Sequence, residues 1–251
     1  MTLTHILITD VTRMQHGHVC VAGIQKGGGN IRPVLPHCGI PEDWLYQDEK
    51  AIIRPFACVE LDLQKAFPNN PHTEDWVIDP ETRIFHELLP EDIRESQLTR
   101  YIDSSVADIF GADIYDDFGW YIKEGEGNRS LGTIIPKRIE NVVYRQNDFG
   151  DGMDYRIHFK DAAGHHYRLK VTDLSFRYFF DHRHTKGNIS CEVLSFNMTE
   201  YFQSADVILR IGLTRPTWEK HPHCCALQIT GVYTFPDYLE GRCFADFRPE
   251  S

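Results

Sequence analysis

The 251-residue sequence has no run of about 18 apolar residues, so no membrane-spanning helix is expected. Its opening, MTLTHILITD, lacks a basic segment leading into an apolar stretch and a small-residue cleavage site. No secretory leader is therefore expected. CxxC occurs nowhere, and the seven cysteines are irregularly spaced. That usage fits a reducing cytoplasm better than a disulfide scaffold, and the expected location is cytoplasmic. Also missing are GxSxG, HExxH, the HxE…PCxxC of zinc deaminases and any obvious paired-carboxylate motif. With 13 histidines present, many His/Asp or His/Cys pairings exist and no single one is informative. No catalytic residue, metal site or cofactor is assigned on this basis.

Positive charge is scarce in one half only. Residues 1–125 carry 10 Lys/Arg against 21 Asp/Glu, whereas residues 126–251 carry 16 against 16. The net charge of -11 therefore belongs to the first half. A nucleic acid would be repelled by that half on average, so a phosphate-binding face is expected on the second half or in a local basic groove.

Strand-like runs dominate. HILITDVTRM (5–14), HVCVAGIQ (18–25) and IRPVLP (31–36) read as a meander, with KGGGN (26–30) as a turn whose glycines supply positive φ. A further strand lies in 52–66, and DWVI (75–78) adds a short one. The period changes in PEDIRESQLTRYIDSSVADIFG (90–111), where a Pro start, helical apolar spacing and Gly111 predict one helix. EGEGNRS (124–130) reads as a linker. Beyond it, 135–146 is a strand, and DYRIHF (154–159) and HHYRLKV (165–171) form a hairpin around KDAAG. LSFRYFF (174–180) and ISCEVLSF (189–196) are expected as strands, followed by a helix capped by Asn197. SADVILRIGL (204–213) fits helix or strand, and CCALQITGVYTF (224–235) is a strand with a kink at Gly231. Each half thus reads as several strands plus one helix, a pattern that suits two small β-barrels, at 1–125 and 126–251.

Chemistry-bearing clusters have competing readings. HPHCC (221–225), with His182 and His184, holds enough ligands for a metal. The missing paired spacing favours instead a strand whose Cys225, Leu227 and Ile229 face a core. FRYFFDHRHTKGN (176–188) interleaves Arg177, Arg183 and Lys186 with Tyr178, Phe179 and Phe180. Stacking plus phosphate contacts is how single strands are held, and a core strand entering a basic loop is the alternative. GLTRPTWEK (212–220) offers Arg215 and Trp218 as a phosphate clamp with a stacking ring, or as a loop that plugs a barrel end. KGGGNIRP opens a strand, so it is a hairpin turn rather than a phosphate loop. The acidic loop DIYDDFGW (113–120), with Asp113, Asp116 and Asp117, reads as solvated.

ILITDVTRM…VCVAGI…GNIRPVLP (6–36), RSLGTI (129–134) and GLTRPT…CCALQITGVYTFPDYLEGRCFADF (212–247) together resemble the bacterial dual OB-containing domain proteins across nearly the whole chain. That resemblance implies a mostly β fold with a few helices, two tandem OB-like β-barrels. It also implies nucleic-acid or nucleotide binding in bacterial anti-phage or mobile-element systems. Thr12, Arg13, Arg32, Pro33, Arg129, Ser130, Arg215, Pro216, Tyr233, Phe235, Asp237 and Tyr238 match its recurring letters.

The leading expectation is a binding module for single-stranded nucleic acid or a nucleotide. Arg177, Tyr178, Phe180, Arg183, Lys186, Arg215 and Trp218 are its candidate contacts, and Arg32 and Arg129 are candidates for the inter-barrel cleft. The alternatives are a hydrolase built from His182, His184, His221, His223 and Cys224, or a subunit that docks a protein partner in a defence complex.

Overall fold

The meander expected at the start of the chain is present. In the computed structural model, which describes residues 3–35, 39–148, 150, 152–216 and 219–249, it comprises β1 (Leu3–Arg13), β2 (His18–Gln25) and β3 (Asn30–Val34). Gly27, Gly28 and Gly29 all have positive φ in the β2–β3 turn, as the glycine run requires. Three two-residue strands follow: β4 (Ile40–Pro41), β5 (Tyr46–Gln47) and β6 (Lys50–Ala51). Two long strands, β7 (Ala57–Ala66) and β8 (Asp75–Leu88), complete the first unit. β1 pairs with β2, β2 with β3, β3 in parallel with β8, β8 with β7, and β7 back with β1. The five strands therefore close on themselves, which removes their edges.

Two helices stand where one was expected over 90–111: α1 (Glu91–Thr99) and α2 (Val106–Phe110). The run breaks because Ile102 leaves it to bridge Thr133. Ser105 then caps a new helix by accepting from the Asp108 N–H, and Gly111 ends it in the left-handed region.

The remaining elements are β9 (Tyr121–Lys123), β10 (Leu131–Ile134), β11 (Arg138–Gln146), β12 (Met153–Lys160), β13 (His166–Val171), α3 (Leu174–Thr185), α4 (Cys191–Ser204), β14 (Asp206–Leu213) and β15 (Cys224–Phe235). β11, β12 and β13 pair in sequence; β13 runs parallel to β15, β15 pairs with β14, and β14 with β10. β9 adds to the start of β15. Strand order thus repeats that of the first barrel, including the parallel step between the third and fifth strands. Here a helix takes the place of the closing pair. Thr199 Oγ1 accepts from the Val142 N–H and Ser195 Oγ from the Tyr144 N–H, so side chains of α4 satisfy the outer edge of β11. The chain is mostly β with two OB-like barrels, as expected.

The segments 174–180 and 189–196 are not strands: 174–180 lies in α3, and from Cys191 the second lies in α4. Aromatics at 176, 178 and 180 satisfy a period of two, but Leu174, Phe176, Tyr178, Phe179 and Phe180 are all buried around one helix. Local hydrogen bonding decides between the two. Asp173 accepts from the N–H groups of Ser175 and Phe176, which starts α3. The cap of the next helix is Ser190 rather than Asn197, and it accepts from the Val193 N–H. Leu194, Met198 and Phe202, each four apart, form its buried stripe. The segment 206–213 is strand.

One apolar cluster includes residues of both barrels, and a buried polar seam joins them. Each side brings a bulge. In β1 the register shifts between Ile8 and Asp10, and in β15 it skips Thr230. Bulges re-aim side chains. Here they bring Asp10 against Arg210 (3.0 Å) and Thr230 against the other Asp10 oxygen. Arg210, 1% exposed, also donates to Thr133 and Asn30. The Tyr233 hydroxyl donates to the Thr9 carbonyl. Gly231 makes room here, because a Cβ would lie 3.1 Å from the Thr9 carbonyl oxygen and from Arg210 Cγ, so those neighbours would have to shift by a few tenths of an ångström.

Candidate nucleic-acid interface

The β12–β13 ladder carries the most distinctive charge arrangement. Tyr155, Ile157 and Phe159 of β12, and Tyr167, Leu169 and Val171 of β13, point into the core. Period-2 alternation therefore sends Arg156, His158 and Lys160, and His166, Arg168 and Lys170, to the outer face. Their register pairs Arg156 with Lys170, His158 with Arg168, and Lys160 with His166. Three successive outward rungs thus set a basic side chain directly opposite another.

Like charges opposite each other destabilise a sheet by a few tenths of a kcal/mol up to about 1 kcal/mol. The protonation equilibria register this crowding. Burial first, then Arg168 and Arg156, hold the His158 imidazolium below the usual histidine range. The Lys170 ammonium is lowered by burial, then by Arg177 of α3, while Asp154 opposes the shift. Compensation is partial. Asp154 holds Arg156 at 2.8 Å and Glu140 holds His166 at 2.7 Å. Among the described residues, Lys160, Arg168, Lys170 and Arg177 have no carboxylate partner. Arg177 lies over the Tyr155 ring, 4.4 Å from its centroid.

The nine residues singled out from the sequence do not form one surface. Arg32 is buried and donates to Asp75 Oδ1 at 2.6 Å, with Glu74 3.7 Å away. Arg215 takes the other Asp75 oxygen, and Ser130 binds Glu74. Arg129, next to Ser130, pairs with Asp103 and donates to the Ile109 carbonyl. Arg32 and Arg215 therefore meet on one buried acidic pair, with Arg129 close along the chain. These are structural ion pairs. His72 sits in the same region, and burial, then Arg32 and Arg215, lower its imidazole to about 2.

Tyr178 and Phe180 do not face solvent, because α3 turns its aromatic side inward. The Tyr178 hydroxyl donates to Glu42 and accepts from Arg13, and Phe180 is fully buried, stacked 4.3 Å from Phe176. Neither ring is available to a base. Arg183 extends over Phe179, 5.9 Å from its centroid, and Lys186 follows the last turn of α3. Trp218 lies outside the described residues. Arg177 is the residue of this group that joins the β12–β13 face electrostatically. The other basic residues of that face were legible in the alternation of YRIHFK and HYRLKV, in which Arg156, His158, Lys160, His166, Arg168 and Lys170 take the outward positions, with Asp154 preceding them.

The histidines of the HPHCC region have ordinary partners. His221 stacks on Phe118 with centroids 3.6 Å apart, and His223 meets Glu124 at 3.2 Å. Cys225, Leu227 and Ile229 are buried, and burial lifts the Cys225 thiol to about 11. Among the described residues, His182, His184, His221, His223 and Cys224 form no group with metal-ligand spacing.

A family model for the dual OB-containing domain matches residues 5–221. The chain belongs to that family. No curated protein matches it. In this dual OB domain the basic ladder occupies the second and third strands of the second barrel, the part of an OB-fold that commonly holds oligonucleotides. Arg32, Ser130 and Arg215 lie elsewhere, in the acidic-pair cluster, and Tyr233 lies in the seam. Among the described residues, no helix is long and apolar enough to cross a membrane.

Proposed function

We propose that this dual OB domain binds single-stranded nucleic acid across the outer face of β12 and β13. The reading rests on one observation: basic side chains stand opposite one another on three successive rungs, and four cations at that face lack a carboxylate partner. Phosphates would supply the missing negative charge. Counterion release from the strand would drive the association, which makes it salt-dependent. The acidic first half confines the strand to the second barrel by repulsion. Arg156, Lys160, Arg168, Lys170 and Arg177 contact phosphates, and Arg183 and Lys186 extend the positive field from the end of α3.

The test is a titration of the purified protein with fluorescent single-stranded DNA and RNA at two salt concentrations. Salt-sensitive binding that weakens in Arg168→Ala/Lys170→Ala supports the assignment. Binding that this pair of substitutions leaves unchanged would place the strand elsewhere.

A further inference from the structure

Outside the basic ladder, one group of side chains has the composition of a metal site. His5 on β1 stands directly opposite Glu60 on β7, with Nε2 2.6 Å from Oε1. His86 of β8 approaches the other carboxylate oxygen, with Nε2 3.2 Å from Oε2. The β7–β8 register runs from Cys58 opposite Glu87 to Val59 opposite Phe85, so His86 is the extra residue of a bulge. Such a bulge re-aims a side chain, and here it brings a second imidazole to the carboxylate that His5 already faces. One ligand atom from each of the three residues lies within 4.8 Å of the others.

We propose that His5, Glu60 and His86 form a surface site for a divalent zinc-class cation. Two imidazoles and one carboxylate form a donor set that suits Zn²⁺ and its neighbours; Mg²⁺ and Ca²⁺ prefer oxygen alone. Ligand atoms on a tetrahedral Zn²⁺ stand roughly 3.3 Å apart, given Zn–N distances of about 2.0–2.1 Å. The cluster is within reach of that spacing through rotation of the two imidazoles, which are 52% and 40% exposed. Each would bind through Nε2 as the neutral Nδ1–H tautomer, in place of its contact to Glu60. The exposed side leaves coordination positions for water or for an oxygen ligand, the open arrangement of zinc sites with three protein ligands. The surrounding half of the chain favours a cation, since residues 1–125 carry 21 Asp/Glu against 10 Lys/Arg. The sequence does not reveal the set because its members are distant in the chain and belong to three strands.

Isothermal titration of untagged, chelator-stripped protein with Zn²⁺ tests the proposal. One ion per chain is expected, with affinity falling by at least about tenfold in each of His5→Ala, His86→Ala and Glu60→Gln. All three positions lie on an outer sheet face, and a thermal melt of each variant without metal confirms its fold. Zn²⁺ should raise the melting temperature of the parent and not of Glu60→Gln. Absence of binding at millimolar Zn²⁺ would overturn the site. So would stoichiometric binding that survives all three substitutions while His223→Ala abolishes it.

Discussion

Replacing Arg168 and Lys170 with alanine separates the functional reading of the β12–β13 face from a structural one. Both side chains are exposed, and among the described residues neither has a carboxylate partner. Lys170 faces Arg156 and Arg168 faces His158 across the ladder. If the four uncompensated cations each neutralise one phosphate, log K should fall with log salt with a slope of about -2.8, since each contact on a single strand contributes about 0.7. The double variant should reduce the steepness by about 1.4. At roughly 0.1 M salt each contact is worth about fivefold, so the affinity loss should be about 25-fold. Stability should move the other way or not at all. Removing Lys170 relieves its repulsion with Arg156, by up to about 1 kcal/mol, whereas Arg168 faces His158, which is held below the usual histidine range. Fluorescence anisotropy across a salt series measures the slope, and urea denaturation measures the stability. An unchanged slope would refute the phosphate assignment. A loss of more than about 1 kcal/mol of stability would show that the ladder holds the fold together and is not kept for a ligand.

Three further expectations follow from buried groups. Asp10→Ala leaves Arg210 charged and unpaired at 1% exposure, and should cost about 3–5 kcal/mol in chemical denaturation, whereas an Asp10→Ala/Arg210→Met double variant should recover much of that loss. His72, 2% exposed, is held neutral, with its folded value near 2 far below the unfolded histidine value of 6.5. The unfolded chain therefore takes up a proton that the folded chain refuses, and stability falls as pH drops below 6.5. By pH 5 this amounts to about 2 kcal/mol, and denaturation of His72→Phe at pH 7.5 and pH 5 should show a pH-dependent loss smaller by that amount. Ser195→Ala/Thr199→Ala withdraws the hydroxyls that satisfy the β11 edge and should cost about 1–3 kcal/mol per orphaned backbone group, with light scattering reporting edge-to-edge association.

The barrels were legible from alternation because strands with one buried face carry their register in the sequence. β1, β2, β7, β12 and β13 fall where apolar residues alternate or cluster. The helices between β13 and β14 were hidden by residue type. Phe176, Tyr178 and Phe180 suit either period, and β-propensity pointed to a strand. The caps at Asp173 and Ser190 were the deciding signal, with the spacing of Leu194, Met198 and Phe202 in support. Much of the candidate site was misplaced for the same reason. Once 174–185 is a helix, its phenylalanines and Tyr178 line a core, while Arg177, Arg183 and the polar last turn reach the surface. Arg32, Arg129 and Arg215 misled differently: a cation in sequence carries no mark of whether a carboxylate waits for it in space. Asp75, opposite Arg32 through a parallel pairing of β3 and β8, is visible only in the fold.

Internal polar contacts and the basic face separate in this chain. Arg32, Ser130, Arg215 and Tyr233 bind partners within the protein, through hydrogen bonds that are buried for all but the part-buried Arg215. A buried charge left without its partner costs several kcal/mol, so each of these pairs ties one segment to another. The β12–β13 face has the opposite character. Its cations are half-buried, as at Arg156 and Lys160, or exposed, as at Arg168 and Lys170, and they are incompletely paired. The first barrel, closed by strand pairing and in the acidic half, and the second, closed beside β11 by α4 and basic on its second and third strands, share a strand order but present different chemistry. A shared fold with divergent surfaces is consistent with one barrel serving as the partner that aligns and restricts the other. On that reading, weakening the Asp10–Arg210 seam without unfolding the second barrel should loosen strand binding through orientation, while the salt slope set by β12 and β13 stays unchanged.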